Sequence, residues 1–209
     1  MFIGLVMPFL SRFAFADWDK FQRALQHAFN ALLMVVVPMV ITTLYFAEQI
    51  IDLVKGNVNY ADSAAVFRVL IFATAIIFLG TLFGYAVVAV NKQKTMIWGY
   101  LAGAVVGLTS YFLLIPRYSY FGAAYGTIIT EVVVSIFAFV LVSKTMPGKL
   151  SLKIFFKSLP AAVGLILFFH YVHLPWMAEM ILGLATYAVL LVAFKAVSTK
   201  FVRGIVSGQ

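Results

Sequence analysis

Residues 69–90 read VLIFATAIIFLGTLFGYAVVAV, twenty-two consecutive positions without a charge. A run of about 20 apolar residues is what an α-helix needs to cross the hydrocarbon core of a bilayer. A membrane β-strand would be about half as long and would alternate apolar with polar side chains. Val69-Leu70-Ile71-Phe72 and Ile76-Ile77-Phe78-Leu79 do not alternate. The stretch therefore reads as a spanning helix, and the chain around it repeats the pattern. Further runs of spanning length lie at 28–47, 95–115, 119–143, 156–173 and 176–194, and 95–115 is also uncharged.

The composition agrees with these runs. Of 209 residues, 64% are hydrophobic and 11% charged, with a mean hydropathy of +1.06, whereas soluble domains carry about 25% charged residues. A soluble fold is excluded on these grounds. The net charge of +8 is spread between the apolar runs and forms no basic stripe with interleaved aromatics, so it does not point to nucleic acid. With no cysteine, neither a disulfide nor a thiolate metal site can form, and the redox compartment is not encoded.

The basic residues report topology instead, because loops rich in Lys and Arg stay on the cytoplasmic side. One set of loops holds twelve: Arg12, Lys20, Arg23, Lys92, Lys94, Lys144, Lys149, Lys153, Lys157, Lys195, Lys200 and Arg203. The other set holds Lys55, Arg68 and Arg117. Twelve against three, alternating with six spans, predicts a multi-pass membrane protein with a cytoplasmic C-terminus, and the cell inner (plasma) membrane is its expected location. Loops this short leave no room for a catalytic head outside the membrane.

Met1 to Leu10 is a short apolar run followed by Ala14-Phe15-Ala16, which has the look of a cleavage site. A signal peptide begins with positive charge, and nothing before Arg12 is basic. Residues 1–16 are expected to be a transmembrane helix truncated at its start, the alternative being a short interfacial helix.

Glu131 is the carboxylate near the middle of a span, twelve residues from either end of 119–143. Burying it ionised would cost about 2.5–3.5 kcal/mol on insertion scales, so it needs a partner, a proton or water. Ala124, Thr127, Ser135 and Ala138 share its helix face, a small and polar surface suited to a cavity or a neighbouring helix. Glu131 is either a transport residue or a structural carboxylate neutralised by another helix. Arg68 and Glu48 lie near the outer ends of adjacent spans, where long side chains snorkel to the interface. Gly99, Gly103 and Gly107, like Gly80 and Gly84, recur every fourth residue, a stripe that lets membrane helices approach closely. Pro38 and Pro160 fall inside spans and are expected to kink them. Two histidines, His170 and His173, do not make a metal site. Gly148-Lys149-Leu150 lacks the rest of a phosphate loop, and no Ser-His-acid grouping suggests hydrolysis. No enzyme activity, cofactor or metal is expected.

The segment from Leu114 to Thr127, LIPRYSYFGAAYGT, followed by Glu131, resembles the late-helix signature of polysaccharide flippases of the multidrug/oligosaccharidyl-lipid/polysaccharide exporter superfamily. Pro8-Phe9-Leu10-Ser11 with Asp17 and Ala24-Leu25, then Pro38, Gly56, Tyr60 and Ser63, and the Asn91-Lys92-Gln93-Lys94 loop fall in matching order. The resemblance covers nearly the whole chain. Ser119 departs from the glycine usual in that turn, and Gly107 with Ser110 stands where an asparagine-rich stretch is common.

The resemblance implies an all-α polytopic helical bundle: one lobe with six full transmembrane helices plus the truncated N-terminal helix. Residues 17–143 would be the C-lobe helices and 144–209 two terminal helices with a cytoplasmic tail. The implied function is the flipping of lipid-linked oligosaccharides by alternating access between two lobes, with a missing N-terminal lobe, the bilayer and the lipid-linked sugar as partners and no nucleic acid. Arg12 and Arg68 are then candidates to meet the substrate pyrophosphate, beside Glu131. A drug exporter of the same superfamily would use Glu131 as counter-charge to organic cations. A membrane-embedded glycosyl or acyl transferase would need loop carboxylates or histidines that are scarce here, and a structural assembly subunit would tolerate loss of the Glu131 charge.

Overall fold

The structure is a computed structural model that describes residues 17–55, 62–146, 148, 150–194 and 196. Its elements are α1 (Trp18–Lys55), α2 (Ser63–Ala89), α3 (Gln93–Thr145), α4 (Lys153–Tyr171) and α5 (Trp176–Ala193). All five are long and apolar enough to cross a membrane, as expected of a multi-pass helical protein. The expected truncated helix at 1–16, with Arg12, lies outside the described residues.

Five elements replace the six expected runs because the third and fourth are joined without a loop. α3 contains one residue off helical geometry, Ser119, at φ 51° and ψ −130°, and the chain reverses there. Cβ atoms placed on Gly99, Gly103 and Gly107 would meet the side chains of Phe137, Val134 and Thr130 in turn, and those on Gly122 and Gly126 would meet Leu114 and Tyr111. Residue numbers that fall on one side as they rise on the other define an antiparallel hairpin with arms 93–118 and 120–145. The glycine stripe is what brings the arms together, because hydrocarbon supplies no hydrophobic drive between helices and close backbone approach must do so. Tyr111 and Thr127 add a hydroxyl-to-hydroxyl hydrogen bond of 3.1 Å across the hairpin.

α1 starts ten residues before the apolar run that announced it. Asp17 caps it, accepting the Lys20 backbone N–H at 3.1 Å and pairing with Lys20 Nζ at 3.2 Å, which satisfies one of the unpaired N–H groups of the first turn. These bonds hold the Asp17 carboxyl below its ordinary value of 3.8. Phe21, Leu25, Phe29 and Leu32 are buried at spacings of four, four and three, the stripe of a helix packing on one side. At the other end of α2, Asn91 takes a positive φ of 59°. Asn91 N–H donates to Val88 and Lys92 N–H to Val87, the paired bonds that close a helix on a left-handed residue.

The chain forms two compact units, and α1 passes from one to the other after Leu32. The first contains the start of α1, α2 and the α3 hairpin. Phe83 joins its helices, lying 5.9 Å from Phe29 and 5.1 Å from Phe139 between ring centroids, and Ser135 Oγ donates to the Ile76 carbonyl at 3.4 Å. The second contains the rest of α1, α4 and α5. Phe46, at a break in α1 with φ −105° and ψ 19°, packs edge-on against Phe169 at 4.9 Å. Leu165, Tyr187 and Leu191 complete that core. Along these apolar helices threonines return their hydroxyls to the backbone: Thr74, Thr81, Thr109, Thr127, Thr130, Thr145 and Thr186 each donate to the carbonyl four residues back, at 2.7–3.2 Å.

Candidate functional site

The first unit holds a cavity of about 330 Å³ between α2 and the α3 hairpin, and Glu131 lines it. α2 contributes Gly80, Thr81, Gly84 and Tyr85, the first arm contributes Met96 and Tyr100, and the second arm contributes Glu131 and Ser135. The local cause is a difference between two glycines. A Cβ on Gly80 would collide with Ser135, whereas a Cβ on Gly84 would meet nothing within 4 Å. Gly80 lets α2 touch the hairpin, and Gly84, one turn on, leaves the void into which the cavity opens.

The small face expected around Glu131 takes its predicted place. Ala124 and Ala138 are buried, Thr127 bonds to Tyr111, and Ser135 is tied to α2. Glu131 itself is half-buried. Neither Lys nor Arg is among the described residues lining the cavity. A carboxylate is costly at this depth in its charged form, and what can offset the charge here is a proton, water or a cation entering the cavity. Tyr85 and Tyr100 line the same cavity, and aromatic rings together with a carboxylate suit an organic cation.

Of the sequence candidates, the two within the described residues do not share the cavity: Glu131 lines it and Arg68 does not. Arg68 is half-buried on α2 and is not part of the cavity lining. It lies nine residues before Ile77, the first α2 residue to line the cavity, a distance of about 13 Å along a helix axis. Arg12 is outside the described residues. Tyr85, Tyr100 and Gly84 were not singled out by the sequence, since an aromatic or a glycine in an apolar run carries no mark of facing a cavity. Glu179 was also passed over. It is buried at the start of α5, where a carboxylate is favoured by the helix dipole. The chain matches no protein-family model, and no curated protein or solved structure is significantly similar to it.

Proposed function

We propose that this chain is one lobe of a membrane transporter that flips lipid-linked oligosaccharides, with the Glu131 cavity as the site that exchanges a proton or cation as the lobes alternate. The observation that carries the reading is a mid-span carboxylate opening on a cavity with no basic residue among its described lining. Such a group responds to a cation gradient, and intramembrane ionisable residues of this kind mark ion and substrate pathways. The substrate class rests on the resemblance of Leu114 to Thr127 and Glu131 to polysaccharide flippases. The pyrophosphate of the substrate is assigned to Arg68 and Arg12 rather than to the cavity, because an anion would be repelled by Glu131.

In this reading the two arms of α3 are separate crossings, giving six. The hairpin supports this, since it brings the Lys92–Lys94 end and the Lys144 end of α3 to the same side, in keeping with the distribution of positive charge. The C-terminus is then cytoplasmic and the membrane is the plasma membrane. A partner lobe, supplied by other sequence, closes the central cavity.

The test is flux of a fluorescent polyprenyl-pyrophosphate sugar into inverted membrane vesicles from cells making the chain together with its partner lobe, compared with the same pair carrying Glu131→Gln. The expected result is loss of flux with unchanged membrane insertion. Full flux in the variant would remove Glu131 from the mechanism. The presence of Tyr85 and Tyr100 in the lining of the cavity that holds Glu131 favours one alternative, efflux of organic cations. Export of tetraphenylphosphonium that depends on Glu131, with no sugar-lipid flux, would select it.

A further inference from the structure

The end of the first unit opposite the Ser119 turn gathers cations. A Cβ on Gly99 would meet Phe137 across the α3 hairpin, and seven residues on from each of that pair stands a lysine, Lys92 on one arm and Lys144 on the other. Seven residues are about two helical turns, so the two lysines lie at one level, and Lys94 follows within the first turn of α3. α1 brings a fourth cation to this end. Phe29, Phe83 and Phe139 form a layer of rings with centroids 5.9 and 5.1 Å apart, and Arg23 precedes Phe29 by six residues as Lys144 follows Phe139 by five. The direction of α1 is fixed by Gln22, whose side chain would meet a Cβ on Gly148, just past the end of α3.

Arg23, Lys92, Lys94 and Lys144 are all exposed. The acids of this end are Asp17, which is paired with Lys20, and Asp19, whose carbonyl accepts from Arg23 Nε at 3.2 Å. Among the described residues, none of the four cations forms an ion pair. Like charges held at one level repel unless an anion lies among them, so this end suits an anionic guest.

The face of α3 that continues from Lys94 decides what that guest is. Trp98, Leu101, Val105, Leu108 and Phe112 follow it at spacings of four, three, four, three and four, one side of a helix. Each of these five side chains is more than half exposed. At 100° per residue they lie opposite Gly99, Gly103 and Gly107, which face the other arm, and away from Met96 and Tyr100, which line the Glu131 cavity. An inorganic anion would use the lysines alone, whereas an anion with a hydrocarbon chain also covers the stripe. We infer that this end binds an anionic phospholipid, its phosphate held by Lys94 with Lys92 and Lys144 beside it and an acyl chain along the face from Trp98 to Phe112. Trp98 stands at the junction, where amphipathic indole rings settle at the level of headgroups. The site is separate from the Glu131 cavity and independent of what the chain transports.

Trp98 reports on the site once the other two tryptophans are replaced, as Trp18→Phe and Trp176→Phe. The full chain is placed in bilayers of phosphatidylglycerol and phosphatidylcholine, one or the other carrying brominated acyl chains that quench a neighbouring indole, and the quenching gives the relative affinity of the two lipids at Trp98. Phosphatidylglycerol should be preferred by at least about tenfold, since each basic side chain near an anionic lipid is worth about fivefold. The preference should fall about fivefold in Lys94→Gln and to less than about twofold in Lys92→Gln/Lys94→Gln/Lys144→Gln. Arginine at the same three positions should retain it, with folding followed by circular dichroism throughout. Equal quenching by the two lipids in the chain with its lysines intact overturns the proposal, as does a folded triple glutamine variant that keeps the preference. Farnesyl pyrophosphate that changes Trp98 emission only when the lysines are present, without any phospholipid preference, would also overturn it and assign the lysines to a pyrophosphate-bearing substrate.

Discussion

Replacing Ser119 with glycine should make the chain more stable, by about 1 kcal/mol. The hairpin turns on this residue, at φ 51° and ψ −130°, a conformation of the kind that tight turns reserve for glycine. Holding a residue with a side chain in a sparsely populated backbone region costs about 1–3 kcal/mol. Glycine removes that cost but loses about 0.4–1 kcal/mol through the greater freedom of its unfolded chain. The difference is about 0–2.6 kcal/mol, centred near 1, or about fivefold in the ratio of folded to unfolded protein. Unfolding in mixed micelles titrated with sodium dodecyl sulfate, followed by far-ultraviolet circular dichroism, measures it. Ser119→Val should move the other way, because a β-branched residue is a true outlier at positive φ. Glycine that destabilises, or valine that is neutral, would refute the hairpin geometry.

Other perturbations follow from the same contacts. Gly107→Ala would place a Cβ 2.6 Å from Thr130 Oγ1, which is itself held by its 2.8 Å bond to the Gly126 carbonyl. The expected loss, about 1–3 kcal/mol as in other overpacked interiors, is read from the same titration. Gly84→Ala meets open space and should fold within about 0.5 kcal/mol of the original, yet narrow the Glu131 cavity and slow flux in the vesicle assay. At the start of α1, the lowered carboxyl of Asp17 means that the folded state holds its proton less tightly than the unfolded one. Its contribution is therefore complete above the unfolded value of 3.8 and disappears as pH falls through the lower folded value. Hydrogen exchange at the Lys20 amide should accelerate, relative to its intrinsic rate, only below that pH.

The spans were legible because a bilayer imposes a length and a composition on any helix that crosses it. The glycine stripe was legible for a similar reason, since every fourth residue shares a helix face. The turn at Ser119 was marked by its place in a motif where glycine is usual, and the positive φ supplies the physical reason. The early start of α1 was obscured by Lys20 and Arg23, although the spacing of Phe21, Leu25, Phe29 and Leu32 carried the signal. The division of α1 between two units was not legible at all, because Leu32 and Leu33 sit inside an unbroken apolar run. Of the candidate site, Glu131 and its small face could be read from periodicity. Tyr85, Tyr100 and the void at Gly84 could not, because they depend on how α2 lies against the hairpin.

The central claim is that the basic ends of these helices lie on one face of a bilayer and the Ser119 turn on the other. The chain has no cysteine of its own, so single substitutions report position without background. Lys92→Cys, Lys153→Cys and Tyr118→Cys, each treated in sealed cells with a membrane-impermeant maleimide, measure it. Labelling of position 118 from outside, with 92 and 153 protected until the membrane is opened, is the predicted result. Labelling of 92 and 153 from opposite faces, or of 118 from the same face as 92, would contradict it.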